Sequence, residues 1–183
     1  MRAHHVYTCM KKAKPMNLHD LLILKLQALY DVENQLVKAL PKMAKSATDM
    51  ELKASFEDHL EETKAQAGRI EEAFSLLDIK PKKTKVEAIR GLIDDTEWCI
   101  KNIAGATALD AVLISAAEYV EHYEMAGYGT AAEWARLMEH TAVADLLEMT
   151  LEEEQAASDR LMMLATTRIN QEALGSDENT EDT

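Results

Sequence analysis

The chain has 183 residues, a formal net charge of −13, 47 % hydrophobic residues, six glycines and three prolines. That length suits one domain with a sizeable core, and so few breakers among so many Ala, Leu, Met, Glu and Lys residues leave helix without competition from strand. An acidic surface repels phosphate backbones, so nucleic acid is excluded as a partner, and no apolar run nears the roughly 18 residues of a membrane span.

Residues 1–15 carry basic side chains and no apolar stretch of the signal-peptide kind. They are expected to be a flexible leader. Cys9 and Cys99 do not make a disulfide framework, and a reducing cytoplasm is the expected setting.

From Asn17 to about Ser46 the pattern is helical, with Pro41 expected to kink or weaken the end. Its apolar stripe runs Leu22, Leu26, Leu29, Leu36 and Leu40, and Glu33 falls inside it. A break at Ala47-Thr48-Asp49 offers Thr48 or Asp49 as an N-cap. A second helix follows, from about Met50 to Leu77, with the stripe Leu52, Phe56, His59, Glu62, Gln66, Ile70, Ala73 and Leu77; three consecutive turns of that face are polar. Lys80-Pro81-Lys82-Lys83-Thr84 is a loop. A shorter helix spans Val86 to about Ile103, and Gly105 breaks it.

A third long helix covers about Ala108 to Met138, loosened at Gly127 and Gly129, with the stripe Leu113, Ala117, Glu121, Glu124 and Tyr128. The fourth, about Ala142 to Asn170, carries Val143, Leu147, Thr150, Glu154, Ala157, Leu161 and Leu164. Residues 173–183 end in Asp177-Glu178-Asn179-Thr180-Glu181-Asp182 and are expected to be a disordered acidic tail. Two short-looped helix pairs joined by a longer segment describe an all-α, ferritin-like four-helix bundle over residues 16–172, with a short extra helix in the crossover between helices 2 and 3.

Each long helix therefore places a carboxylate on its core face near mid-length. One buried carboxylate costs several kcal/mol unless it is paired or metal-bound. Divalent ions neutralise several at once and give each oxygen a partner, and an oxygen-rich site with one imidazole suits iron or manganese. Taken singly, the residues have plainer readings. Glu33 alone fits an edge carboxylate and His59 alone a rim histidine. Glu152 and Glu153 turn away from the stripe as solvated neighbours of Glu154, and His122 also lies off its stripe. Tyr30, Tyr123 and Tyr128 read as packing residues, and the methionines as core filler. It is the agreement of four helices that favours metal.

The strings Tyr30-Asp31-Val32-Glu33-Asn34-Gln35-Leu36, His59-Leu60-Glu61-Glu62-Thr63, Val120 to Thr130 (VEHYEMAGYGT) and Thr150-Leu151-Glu152-Glu153-Glu154 resemble the bacterial YciE/YciF family of ferritin-like proteins, over about Asn17 to Ala165. The resemblance implies a homodimer in the cytoplasm, associated with stress responses; exposed Trp98 and Ile103 on the crossover helix are candidates for the dimer contact. By analogy with ferritin-like di-metal sites, it assigns Glu33, Glu62 (as a bridging group), Glu121, Glu124 and Glu154 as ligands of two iron or manganese ions, with His59 as nitrogen donor. The usual Glu-x-x-His pairs would need histidine at Ala65 and Ala157; His59-x-x-Glu62 reverses the order but keeps both groups on one face. The expected function is a di-metal carboxylate protein acting on peroxide, dioxygen or ferrous iron. The alternative is a non-catalytic dimeric helical stress protein with a vestigial or structural metal site.

Overall fold

A computed structural model describes residues 16–175. The expected leader and the Asp177–Asp182 acidic run lie outside the described residues. The helices are α1 (Leu18–Ser46), α2 (Met50–Leu76), α3 (Glu87–Asn102), α4 (Ala106–Leu137), α5 (Thr141–Leu164) and α6 (Asn170–Gly175), with a π-helical turn, Ala165–Ile169, joining the last two. Among the described residues there is no strand. The architecture is a ferritin-like four-helix bundle of α1, α2, α4 and α5, with α3 in the long crossover packed on α4 and α1.

Local chemistry explains the boundaries. Asn17 and Asp20 form a reciprocal capping box that opens α1. Asp49 caps α2 by accepting from the N–H groups of Glu51 and Leu52. The ends of α2 and α4 are closed by Asp78 and Glu139 at φ 55° and 63°. In each, the next residue returns a hydrogen bond five residues back, Ile79 to Phe74 and His140 to Ala135. Neither end has the customary glycine. The crossover is tied to α1, where Thr84 N–H donates to Gln27 O and Val86 N–H to the Asp31 carboxylate.

α1 runs to Ser46 as expected, with Pro41 inside it. Two features differ from the sequence expectations. α4 is unbroken at Gly127, where a Cβ would stand 2.8 Å from Leu29 Cδ2; that glycine serves close approach of α1 and α4 and does not loosen the helix. The last long helix is interrupted by the π turn, which presents Arg168 to Asp49 and Glu51.

Two apolar clusters fill the bundle. One centres on Leu36, Leu40, Phe56, Leu113 and Leu161, and the other on Leu22, Leu26, Ile70, Phe74 and Leu147. Between them lies a polar layer.

Candidate metal centre

The middle of the bundle buries Glu33, His59, Glu121, Glu124 and Glu154, none more than 5 % exposed. Each side chain comes from the stripe on which helical periodicity puts it, and all four long helices contribute. His59, Glu121, Glu124 and Glu154 each offer one ligand atom within 4.8 Å of the others. His59 Nε2 lies 3.3 Å from Glu121 Oε1 and 3.9 Å from Glu154 Oε2. Glu33 adjoins the group through Glu124 and also accepts a hydrogen bond from the Tyr128 hydroxyl.

The electrostatics of this layer are unfavourable as it stands. Burial, reinforced by the Glu154 charge, pushes Glu33 up to about 8, although the Tyr128 hydroxyl acts the other way. Glu124 is raised well above the carboxylate range by burial and then by Glu33, and Glu121 by burial and then by Glu154. Glu154 is raised by burial, with His59 opposing. Burial also raises Tyr128. Both oxygens of Glu124 and of Glu154, and Oε2 of Glu33 and of Glu121, have no hydrogen-bond donor among the described residues. Glu33 faces Glu124, and Glu121 faces Glu154; either contact becomes a hydrogen bond only when one member carries a proton. Such a set of oxygens with one imidazole can hold a divalent cation, which would neutralise the charges and occupy the lone pairs.

Glu62 stands apart from the four-group set. Its carboxylate accepts from Arg160 Nη2 at 2.9 Å and lies 3.3 Å from His59 Nδ1. These contacts hold it below the usual carboxylate range, the bond from His59 first and the Arg160 charge after it. Of the two positions where a Glu-x-x-His pair would place histidine, Ala157 is buried against the core, whereas Ala65 is exposed.

Several contributors escaped the pattern. Glu153 is not a free solvated neighbour, because Arg69 grips it through both nitrogens at 2.5 and 2.6 Å and Gln66 Nε2 donates to it at 3.1 Å. Tyr128 packs in the core as expected, yet its hydroxyl also serves Glu33. Ser158 donates to Glu118 at 2.9 Å. Glu152 and His122 are exposed.

The family model described as "Domain of unknown function (DUF892)" matches residues 17–174. The chain belongs to the DUF892 family. It is 39 % identical over 157 residues to Protein YciF of Escherichia coli strain K12, covering 85 % of this chain and 95 % of YciF. The crystal structure of the E. coli stress protein YciF superposes with a TM-score of 0.82 at 38 % identity, covering 85 % of this chain and 99 % of that one. YcfI of Rhodopseudomonas palustris gives 0.80 at 38 % identity, covering 82 % and 96 %. These relatives agree with the resemblance carried by the four sequence strings and with the helical bundle. No helix among the described residues is long and apolar enough to cross a membrane.

Proposed function

We propose that this protein is a metal-dependent member of the YciF-like stress proteins, in which the mid-bundle carboxylates hold iron or manganese and the site acts on peroxide, dioxygen or ferrous iron. The observation that carries the reading is the convergence of four helices on buried carboxylate oxygens that lack donors, with His59 Nε2 aimed among them. His59, Glu121, Glu124 and Glu154 would hold one ion, and Glu33 with Glu124 would serve a second. Bound iron or manganese would supply Lewis acidity and, for iron, one-electron chemistry toward a small oxidant. The chain's own part is to keep bulk water out of the layer, to fix the carboxylates on rigid helices, and to hold a proton at Tyr128 against Glu33. A homodimer in the cytoplasm belongs to the same proposal, and Trp98, 62 % exposed on α3, is available for such a contact.

A second reading, a purely structural metal site in a non-catalytic protein, is favoured by one observation: Ala65 and Ala157 stand where two further imidazoles would be needed. One experiment separates the two. Protein purified without a metal-binding tag is analysed by elemental mass spectrometry beside Glu121→Gln, and the loaded protein is then assayed for peroxide consumption and ferrous-iron oxidation. The expected result is about two ions per chain, lost in the variant, with turnover by the loaded protein. Bound metal without turnover would favour the structural site. Absence of metal even after anaerobic loading with ferrous iron or manganese would contradict both.

A further inference from the structure

We propose that Glu62 and Arg160 are positioning residues for His59: Arg160 pins the Glu62 carboxylate, and Glu62 accepts the Nδ1–H of His59, leaving Nε2 as the nitrogen donor to the buried site. The proposal rests on the metal reading above and gives Glu62 a role other than bridging ligand.

The geometry separates the two edges of one imidazole. Nδ1 faces Glu62 Oε2 at 3.3 Å, while Nε2 faces Glu121 Oε1 at 3.3 Å. The ring nitrogens point in divergent directions, so an oxygen on the Nδ1 edge looks away from an ion on the Nε2 edge. An ionised carboxylate only accepts hydrogen bonds, so the Glu62 contact requires the proton on Nδ1. That tautomer leaves a lone pair on Nε2, the nitrogen turned toward the carboxylate layer. A histidine ligand whose other N–H is held by a carboxylate is oriented and made more basic, and loss of such a partner typically weakens metal binding by about 10- to 100-fold.

Arg160 completes the chain of contacts from α5. Its Nη2 reaches Glu62 Oε2 at 2.9 Å and Oε1 at 3.3 Å, so both carboxylate oxygens face the guanidinium. The side chains of Arg160 and Glu62 are 42 % and 31 % exposed, so the pair lies at the rim between solvent and the buried layer. A pair that exposed adds little to global stability. Variants there should fold, and their effects should read on His59.

The test uses cobalt(II) as probe on the full chain. Coordinated through Nε2, His59 should give one exchangeable, hyperfine-shifted N–H proton resonance, absent in His59→Ala. Glu62→Gln keeps a carbonyl acceptor and should retain both the resonance and the cobalt visible spectrum. In Glu62→Leu the N–H proton should exchange with solvent much faster, and cobalt affinity should fall about 10- to 100-fold. Arg160→Gln should speed the exchange without altering the visible spectrum. A changed spectrum in Glu62→Gln would make Glu62 a direct ligand and overturn the proposal. So would a slow N–H proton unaffected in Glu62→Leu, or bound cobalt with no His59 N–H resonance, and each of these results would leave the metal reading standing. A wild-type protein that takes up no cobalt would overturn the metal reading together with this inference.

Discussion

Two groups of buried acids in this bundle are alike in burial and opposite in circumstance. Asp110, 2 % exposed on α4, receives the backbone N–H of Thr48 at 2.8 Å, the Thr48 hydroxyl at 2.5 Å and the backbone N–H of Asp49 at 2.9 Å. Its carboxylate sits at the start of α2 and gives these N–H and O–H groups their acceptor. One layer away, Glu121, Glu124 and Glu154 are as deeply buried and hold oxygens with no donor among the described residues. A buried acid is therefore not in itself a sign of a site. Asp110 joins helices, whereas the mid-bundle acids are in surplus over their donors, and the proposed metal site rests on that surplus.

The difference predicts opposite responses to pH and to substitution. The largest effect should come from pH in the metal-free protein. Glu33 binds its proton more tightly folded than unfolded, because its value rises from 4.5 to about 8. Its stabilising contribution is thus complete below about pH 4.5 and is lost as pH rises through 8. The slope for one such group is at most about 1.4 kcal/mol per pH unit, and Glu121 and Glu124 act in the same direction. Thermal unfolding of metal-free protein between pH 5 and pH 8 should show Tm falling. Saturating manganese should reverse the trend, since ligation needs ionised carboxylates. A metal-free Tm that rises steadily to pH 8 would break the comparison.

Next in size is Asp110→Ala, which strands three donors and should destabilise by about 2–4 kcal/mol, measured by urea unfolding. Glu124→Gln should do the reverse in the metal-free protein. Replacing an acid that burial forces to hold a proton by a neutral amide of nearly the same volume removes the cost of that neutralisation and should raise stability by about 1 kcal/mol or more. If both variants destabilise equally, the two groups of acids are not distinct. Arg168→Ala gives the smallest effect. It removes an ion-pair partner of Asp49 and Glu51 next to the Asp110 junction, from a half-buried position at the rim. Its Tm should stay much closer to wild type than that of Asp110→Ala.

Much of this was legible from periodicity. Glu33, His59, Glu121, Glu124 and Glu154 interrupt apolar stripes at spacings of three and four, and burial follows because the stripe turns inward. Asp110 lies on the same face, three residues before Leu113, so its burial was also visible in the pattern. What the pattern cannot carry is the partner. Nothing local to Asp110 says that the start of α2 supplies its donors. Nothing local to Glu153 says that Arg69 will grip it. Whether Glu62 faces the carboxylates or Arg160 depends on how α2 and α5 are rotated against each other, and a single helix's stripe leaves that open. The π turn and the caps at Asp78 and Glu139 were hidden for a related reason, since each uses ordinary residues where tertiary packing over-rides local preference.

The central claim, that the surplus mid-bundle acids are neutralised by divalent ions, is tested most directly by thermal unfolding during a manganese titration near pH 7.5, on wild type and Glu124→Gln side by side. The account predicts a wild-type Tm that climbs with manganese. At about 100-fold over Kd the gain should be about 2.7 kcal/mol, or roughly 5–10 °C. The variant should begin higher and stay nearly flat. A wild-type Tm indifferent to manganese and to ferrous iron, or a variant that climbs in parallel with it, would contradict the account.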